Sequence, residues 1–532
     1  MRYTTRSVTR SSYPAENFPA PDAETDDAPL GRIVRNSAFN AIGTVLIVPS
    51  NMLALFIMAR RLGAQPVGTF FTIFAISAVI HWIADAGTTT VLTRRVSRFP
   101  ERLKEIVAEA SGILPVVCLA SAAMFFVMSS AWMLWNTGEI SLSVVLVAAA
   151  AMASRHALDF AANVLRGLER FEFENLSRVV QTMSFCVFVW LWVYPETGGA
   201  LAAFIAFAAS NFIAAALLWG MLLVKWQCAG FRFSRQILRD WLTESIPLGG
   251  GDVIRQVLMQ MDTLLLAAFK PQAVVGLFSI AARPLQPLQL LPRIIVSVTF
   301  PTMSRTAHLD RAAFSQMFAK TTSILWAASL PISIAVSMGA MPMILATAGP
   351  RFADAARPLQ FLIWTTGLIF INAQLRFVLT ALDAEQSYWR LITRVLVAKI
   401  VLVAILIPIW GLYGACAGNF LGEAILCLGG MFTLNRLEVR GPALAQLLRA
   451  VPAAMAMALV LWPFMGDHAG LVTLAVASVG ASVVYVLVCL ACGVLPWSDV
   501  VRVWQTFRRP MTQDARETAL LATATDADVA PG

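Results

Sequence analysis

Charge is scarce in this chain. Asp, Glu, Lys and Arg make up 13% of its 532 residues against 58% hydrophobic, where a soluble protein carries roughly 25% charged residues. The four charged residue types are almost absent from the runs 39–59, 113–133 and 142–154. Each run approaches the roughly 20 apolar residues that cross a ~30 Å hydrocarbon core. The shortage excludes a soluble fold and predicts an all-α protein embedded in a bilayer.

Other absences narrow the chemistry. The first 30 residues hold Arg2, Arg6, Arg10 and a Pro/Asp/Glu-rich stretch with no apolar core, so they are expected to form a disordered cytoplasmic tail and not a signal peptide. The stretch after Arg516 has a similar character. Seven scattered cysteines, an odd number within apolar helices, give no disulfide framework. Cys489 and Cys492 form a C-x-x-C inside the apolar run 483–494, where small hydrophobic filler is the better reading than a redox or zinc site. There is no G-x-x-x-x-G-K-[ST] loop for ATP, and no paired C-x-x-C or H-E-x-x-H for zinc. No cofactor is expected. The longest interior loop, 225–244, is too short for a transferase domain, so the chain reads as no enzyme.

What is present is a series of apolar runs between polar breaks. Fourteen transmembrane helices are predicted, near 36–59, 66–92, 110–135, 141–165, 179–194, 199–224, 245–269, 273–303, 321–346, 356–382, 390–408, 411–434, 448–465 and 469–495. Alternate connections then differ sharply in charge. One side collects 29 Lys or Arg, the other only Arg60, Arg61, Lys270, Arg351 and Arg357, and six lie within spans. Positive charge stays in the cytoplasm, which predicts that both termini are cytoplasmic. The net charge of +9 is thereby a topology signal whose partners are membrane lipid headgroups, not nucleic acid.

The two halves echo each other. Gln65-Pro-Val-Gly68-Thr-Phe70 opens the second span and Gln272-Ala-Val-Val-Gly276-Leu-Phe278 the eighth. Thirty residues separate Gly68 from Arg98, and 29 separate Gly276 from Arg305. An offset of six helices keeps both copies in the same orientation, as in parallel repeats of rocking transporters. The expected organisation is a tail (1–35), an N-lobe of six helices (36–224), a cytoplasmic linker (225–244), a C-lobe of six helices (245–435), two C-terminal helices (436–495) and a second cytoplasmic tail (496–532).

These segments resemble a known family. The matching stretches are Arg60-Arg-Leu-Gly63 with Gly68, Ala84-Asp-Ala-Gly87 before Arg94, Gly167-Leu-Glu-Arg-Phe171, Pro247, Asp262 followed by Gly276, Pro301-Thr-Met-Ser-Arg305 and Ile407-Pro-Ile-Trp-Gly-Leu-Tyr-Gly-Ala415. Over roughly 35–495 the chain resembles the oligosaccharide-lipid flippases of polysaccharide biosynthesis. Their superfamily also holds multidrug exporters of the MATE kind and peptidoglycan-precursor flippases. The resemblance implies two six-helix lobes around a central cavity. It also implies a polyprenyl-pyrophosphate-linked oligosaccharide as cargo, moved to the outer leaflet of a bacterial inner membrane. A glycan polymerase and export machinery are candidate partners. Phe70 and Phe278 stand where the family often has Tyr. The first span carries no acid, whereas MATE-type exporters commonly have one there. A drug exporter and an integral-membrane glycan polymerase or ligase are the alternatives.

Charges within spans point to the site, because each costs roughly 2.5–3.5 kcal/mol at a helix centre. Six cations qualify: Arg155, Arg255, Arg283, Arg293, Arg376 and Lys399. Arg155 with Asp159 at i,i+4 and Asp252 with Arg255 at i,i+3 share helix faces. Lys399 and Glu423 lie at similar depth on successive helices and are positioned to pair. Arg283 has no partner within four residues. It sits roughly 15 Å deep and opens a segment in which Pro284, Pro287 and Pro292 free backbone carbonyls. A broken helix flanked by arginines suits a cavity wall, and Arg suits phosphate oxygens; snorkelling towards an interface is the main rival reading, stronger for Arg293 and Arg376, which lie nearer the cytoplasmic end. Candidates for gating or coupling are Asp85, His81, Asp252, Asp262 and Glu423, with His81 and Asp85 at i,i+4 as a proton-sensitive pair or a structural hydrogen bond. Pro49 and Gly249-Gly-Gly251 read as hinges or as sites of close packing.

Overall fold

Apolar runs of this length must satisfy their backbone polar groups internally, and helices do so within one segment. The computed structural model describes residues 29–135, 142–464 and 470–493, which are helical with no strand among them. The expected tails at 1–28 and 496–532 lie outside the described residues.

The first half comprises α1 (Pro29–Leu62), α2 (Ala64–Asp85), α3 (Thr88–Arg98), α4 (Leu103–Trp135), α5 (Leu142–Gly167), α6 (Phe171–Trp192) and α7 (Ala200–Lys225). The second comprises α8 (Arg235–Phe269), α9 (Gln272–Ala282), α10 (Leu285–Leu288), α11 (Leu290–Leu309), α12 (Arg311–Met338), α13 (Ala340–Thr347), α14 (Ala356–Leu362), α15 (Thr365–Ala381), α16 (Glu385–Trp410) and α17 (Leu412–Arg436). Then come α18 (Leu444–Leu448), α19 (Val451–Leu461) and α20 (Leu471–Ala491). Among the described residues ten helices are long and apolar enough to cross a membrane, and α14 with α15, bent by 53°, makes an eleventh. The chain is a multi-pass membrane protein. Long helices α1, α6 and α8 are not among those ten; α8 carries Asp252, Arg255 and Asp262 along its second half.

Several expected boundaries shift for identifiable reasons. α1 begins at Pro29, inside the expected tail, and runs unbroken through Pro49. The linker 225–244 is half helix, because Ser234 caps α8 by accepting the N–H of Ile237 at 3.1 Å. Trp241 of that segment is fully buried and donates to Glu109 of α4 at 3.0 Å. The second predicted span divides at Ala86, which has φ 45°, and Gly87, φ 87°. Asp85 holds this turn: it accepts the N–H groups of Gly87 and Thr89, both at 3.2 Å, and the hydroxyls of Thr88 (2.8 Å) and Thr89 (2.9 Å). At the bend between α14 and α15, Ser333 of α12 donates to the carbonyl of Ile363 at 3.2 Å.

The sequence echo is a place of contact. α2 packs against α9, and a Cβ on Gly68 would lie 1.7 Å from the Gln272 carbonyl oxygen, one on Gly276 2.0 Å from that of Ala64. Only glycine allows so close a backbone approach. Thr72 donates to Gln272 Oε1 across this seam at 2.6 Å. The glycines of α8 serve close packing too. Gly249 faces the backbone of Ala86 and Gly87, and Gly251 faces the Trp389 ring.

Two of the five cations on the sparsely charged side have a local cause. Arg60 donates to the carbonyls of Ala346 and Thr347 at the end of α13, the latter at 3.0 Å. Arg61 donates to Val189, Trp190 and Val193 at the end of α6 and lies 4.3 Å from the Tyr194 ring centroid. Helix C-termini leave carbonyls unbonded and carry partial negative charge, which these guanidinium groups neutralise.

Candidate functional site

A cavity of about 340 Å³ opens where the broken segment α9–α11 meets the first-half helices. Its wall includes Asn51 of α1 with aliphatic neighbours on that helix, Phe70, Phe71 and Phe74 of α2, Gln181 and Phe185 of α6, and Phe207 of α7. Arg155 of α5 and Arg283 also line it, with Gln286 and Pro287. The proline-rich sequence explains the geometry: α9 stops at Ala282, a single turn forms α10, and α11 restarts at Leu290. The break presents Arg283 to the cavity instead of burying it in a helix contact.

The two arginines differ in how they are held. Arg283 Nη1 donates to Gln286 Oε1 at 2.9 Å, and its guanidinium lies 4.1 Å from the Phe71 ring centroid. No carboxylate reaches it among the described residues, so its charge rests on an amide oxygen and an aromatic face. Arg155 donates from Nε to Asp159 Oδ2 at 2.8 Å, with its side chain 36% exposed. That local pair is the one the i,i+4 spacing predicts. An anion entering the cavity meets one uncompensated guanidinium and a second shared with a carboxylate, amid aromatic rings suited to an apolar or sugar face.

Arg255, Arg293 and Arg376 come together elsewhere, on α8, α11 and α15, near enough to repel one another. Arg255 has Asp252 at 3.6 Å, and Arg376 lies 5.7 Å from the Trp389 ring centroid. Three arginines against the two nearby acids Asp252 and Glu423 leave this cluster positive charge to spare. It does not line the cavity described above.

Two pairings differ from those the spacing predicts. Lys399 does not bond Glu423; its Nζ donates to Asp262 Oδ2 at 2.7 Å, and both side chains are 4% exposed. Asn419 donates to the same oxygen at 2.7 Å. Glu423 instead accepts from Asn372 Nδ2 at 2.7 Å. The reason is steric: Gly422 lies against the Lys399 stem, which runs on across α17 towards α8. His81 does not bond Asp85, whose oxygens cap α3; its Nε2 lies 3.2 Å from Asp159 Oδ2. His81 stacks on His156 with ring centroids 4.1 Å apart. His156, Asn372, Asn419 and Phe71 were not singled out from the sequence. Each joins the polar or cavity framework through a different helix, and no local pattern marks them.

Known proteins share features with this chain. The family described as Polysaccharide biosynthesis protein matches residues 33–307. A protein of Haloferax volcanii named "Probable flippase AglR" is 26% identical over 209 residues, 38% of this chain. The match spans 44% of that relative's length. Among solved structures, the lipid II flippase MurJ in an inward closed conformation aligns with TM-score 0.68 at 14% identity, over 88% of this chain and 100% of that one. An inward-facing MATE family multidrug transporter of the MOP superfamily aligns with TM-score 0.60 at 17% identity, over 76% and 99%. At these identities the likeness is one of fold.

Proposed function

The chain belongs to the polysaccharide biosynthesis protein family, and on that premise we propose that it is a flippase carrying a polyprenyl-diphosphate-linked oligosaccharide from the cytoplasmic to the outer leaflet. The observation that carries the reading is the pairing of Arg283 and Arg155 on one aromatic-lined cavity at a broken helix. Guanidinium groups grip diphosphate oxygens through paired hydrogen bonds. Phe70, Phe71 and Phe74 offer apolar faces to the adjoining sugar or isoprenoid.

In this reading the membrane is a bacterial plasma membrane, with fourteen spans arranged as two lobes plus two C-terminal helices. Both termini are cytoplasmic, as the lysine and arginine asymmetry favours. The lobes rock about the seam where Gly68 meets Gly276, in the manner of parallel repeats. The Arg255, Arg293 and Arg376 cluster offers the diphosphate a second anchoring point along its path. Membrane lipids and the lipid-linked glycan are the partners; a polymerase and export machinery would act on the delivered repeat. The MATE-like fold keeps a drug exporter as the second reading, but a cavity bearing two guanidinium groups disfavours cationic cargo.

The test is the leaflet occupied by the lipid-linked glycan in a deletion strain, read with an impermeant sugar-oxidising reagent on intact spheroplasts. Complete single repeats trapped inside, released by the wild-type gene and not by Arg283→Ala, support flipping. Single repeats stranded outside would overturn it in favour of a polymerase. Drug sensitivity with unchanged glycan would overturn it in favour of an exporter.

A further inference from the structure

Behind the cavity wall, one oxygen of the carboxylate that holds the lining Arg155 serves two cation-capable side chains. Asp159 Oδ2 accepts from Arg155 Nε at 2.8 Å and lies 3.2 Å from His81 Nε2. We propose that His81 is a proton-binding residue whose occupancy rises when an anion binds Arg155, because the two side chains share Asp159. This rests on the reading of the cavity as a diphosphate site.

The chemistry follows from charge balance. With the cavity empty, Arg155 and Asp159 neutralise each other, and a neutral His81 adds an Nε2–H donor to the same oxygen. A diphosphate on Arg155 competes with Asp159 for the guanidinium. Asp159 is 13% exposed, so it cannot recover its lost compensation from water. The neighbouring imidazole can supply it by taking a proton from solution at Nδ1. That nitrogen is buried with no hydrogen-bond partner, while the His81 side chain keeps 15% exposure for exchange. Imidazole is the side chain suited to such exchange near neutral pH.

The charged and titratable groups around His81 come from three helices. On α2 there is Asp85, one turn along, whose oxygens are occupied as the cap of α3. On α5 there are Arg155, Asp159 and His156. Arg178 of α6 acts on Asp159 through its charge. His156 is fully buried, stacks on His81 and has neither ring nitrogen bonded. Neither of its ring nitrogens bonds the carboxylate, so the proton that answers Asp159 sits on His81. The coupling is reciprocal: protonation of His81 weakens the hold of Asp159 on Arg155 and strengthens anion binding by the same factor.

The experiment is calorimetric titration of the purified full-length chain in detergent with geranylgeranyl diphosphate, in two buffers of different ionisation enthalpy, between pH 6 and 8. Wild-type protein is expected to take up more protons on binding than His81→Gln, which keeps a neutral N–H donor. Its affinity should also fall more steeply with rising pH, by up to about tenfold per pH unit for one linked proton. The ligand's own ionisation is common to both proteins, so the difference isolates His81. Asp159→Asn keeps an amide oxygen at the shared position but removes its negative charge. It should bind more tightly than wild type without the extra uptake, and it carries the test should His81→Gln fail to fold. Equal proton uptake in wild type and the folded variants, with the anion bound in each, would overturn the coupling and leave the substrate reading standing. Absence of binding to wild type, or binding indifferent to Arg283→Ala and Arg155→Ala, would overturn the substrate reading and this inference with it.

Discussion

Lys399 offers a quantitative test of how charge is held in this bundle. Its Nζ is 2.7 Å from Asp262, and both side chains are 4% exposed, so little solvent screening discounts the pair. Glu423 lies near enough for the Lys399 charge to act on it as well. Lys399→Met keeps the unbranched stem that fills the space beside Gly422 but leaves the buried Asp262 carboxylate and the half-buried Glu423 without that cation. Removing one partner of a buried pair costs about 3–5 kcal/mol. Asp262→Asn is milder, because Lys399 retains Glu423 and the new amide oxygen still accepts from Lys399 and Asn419. The loss there is that of a charge-assisted hydrogen bond, about 1.5–3 kcal/mol. Lys399→Met combined with Asp262→Leu replaces the pair with apolar volume and should recover most of the lysine penalty. Unfolding of the purified protein by increasing SDS, followed by tryptophan fluorescence, reads the order: lysine variant lowest, aspartate variant intermediate, the double variant above the lysine variant. A double variant no more stable than Lys399→Met alone would show that the unpaired Asp262 charge is not what the lysine variant loses and would refute the argument.

Two further outcomes follow from the helix junctions. Asp85→Ala removes every side-chain acceptor that caps α3 and should cost about 1–2 kcal/mol in the same SDS titration, with Asp85→Asn losing less; an alanine variant as stable as wild type would contradict the capping role. Gly68→Ala brings a methyl group against the Gln272 carbonyl and should force α2 and α9 apart. Copper-catalysed crosslinking between Thr72→Cys and Gln272→Cys reports the separation. An undiminished crosslink in the Gly68→Ala background would mean that the seam yields elsewhere.

Much of this protein was legible without coordinates, for reasons of scale. Helix content follows from runs too apolar for water and too long for strands. The break after Arg283 follows from three prolines in nine residues, and the Arg155–Asp159 pair from one helical turn. The echo of Gly68 in Gly276 was legible as a recurring sequence pattern, though not that the two glycines pack against each other's helix. Each of these signals is local, reporting on a residue and the neighbours it must have on its own helix.

Partners chosen across helices were not legible. Lys399 had Glu423 at matching depth on the next helix, yet it bonds Asp262, 137 positions away. His81 had Asp85 one turn along its own helix, yet it reaches α5, because Asp85 is committed to the turn that follows it. A pairing of this kind depends on how far each helix is rotated and which small residues let its neighbours approach. Gly422 beside the Lys399 stem and Gly249 against Gly87 act through contacts that no spacing rule contains. Composition and periodicity settled the class of molecule and the candidate cations. The tertiary packing alone decided that Arg155 and Arg283 line one cavity, and that a single carboxylate oxygen joins Arg155 to His81.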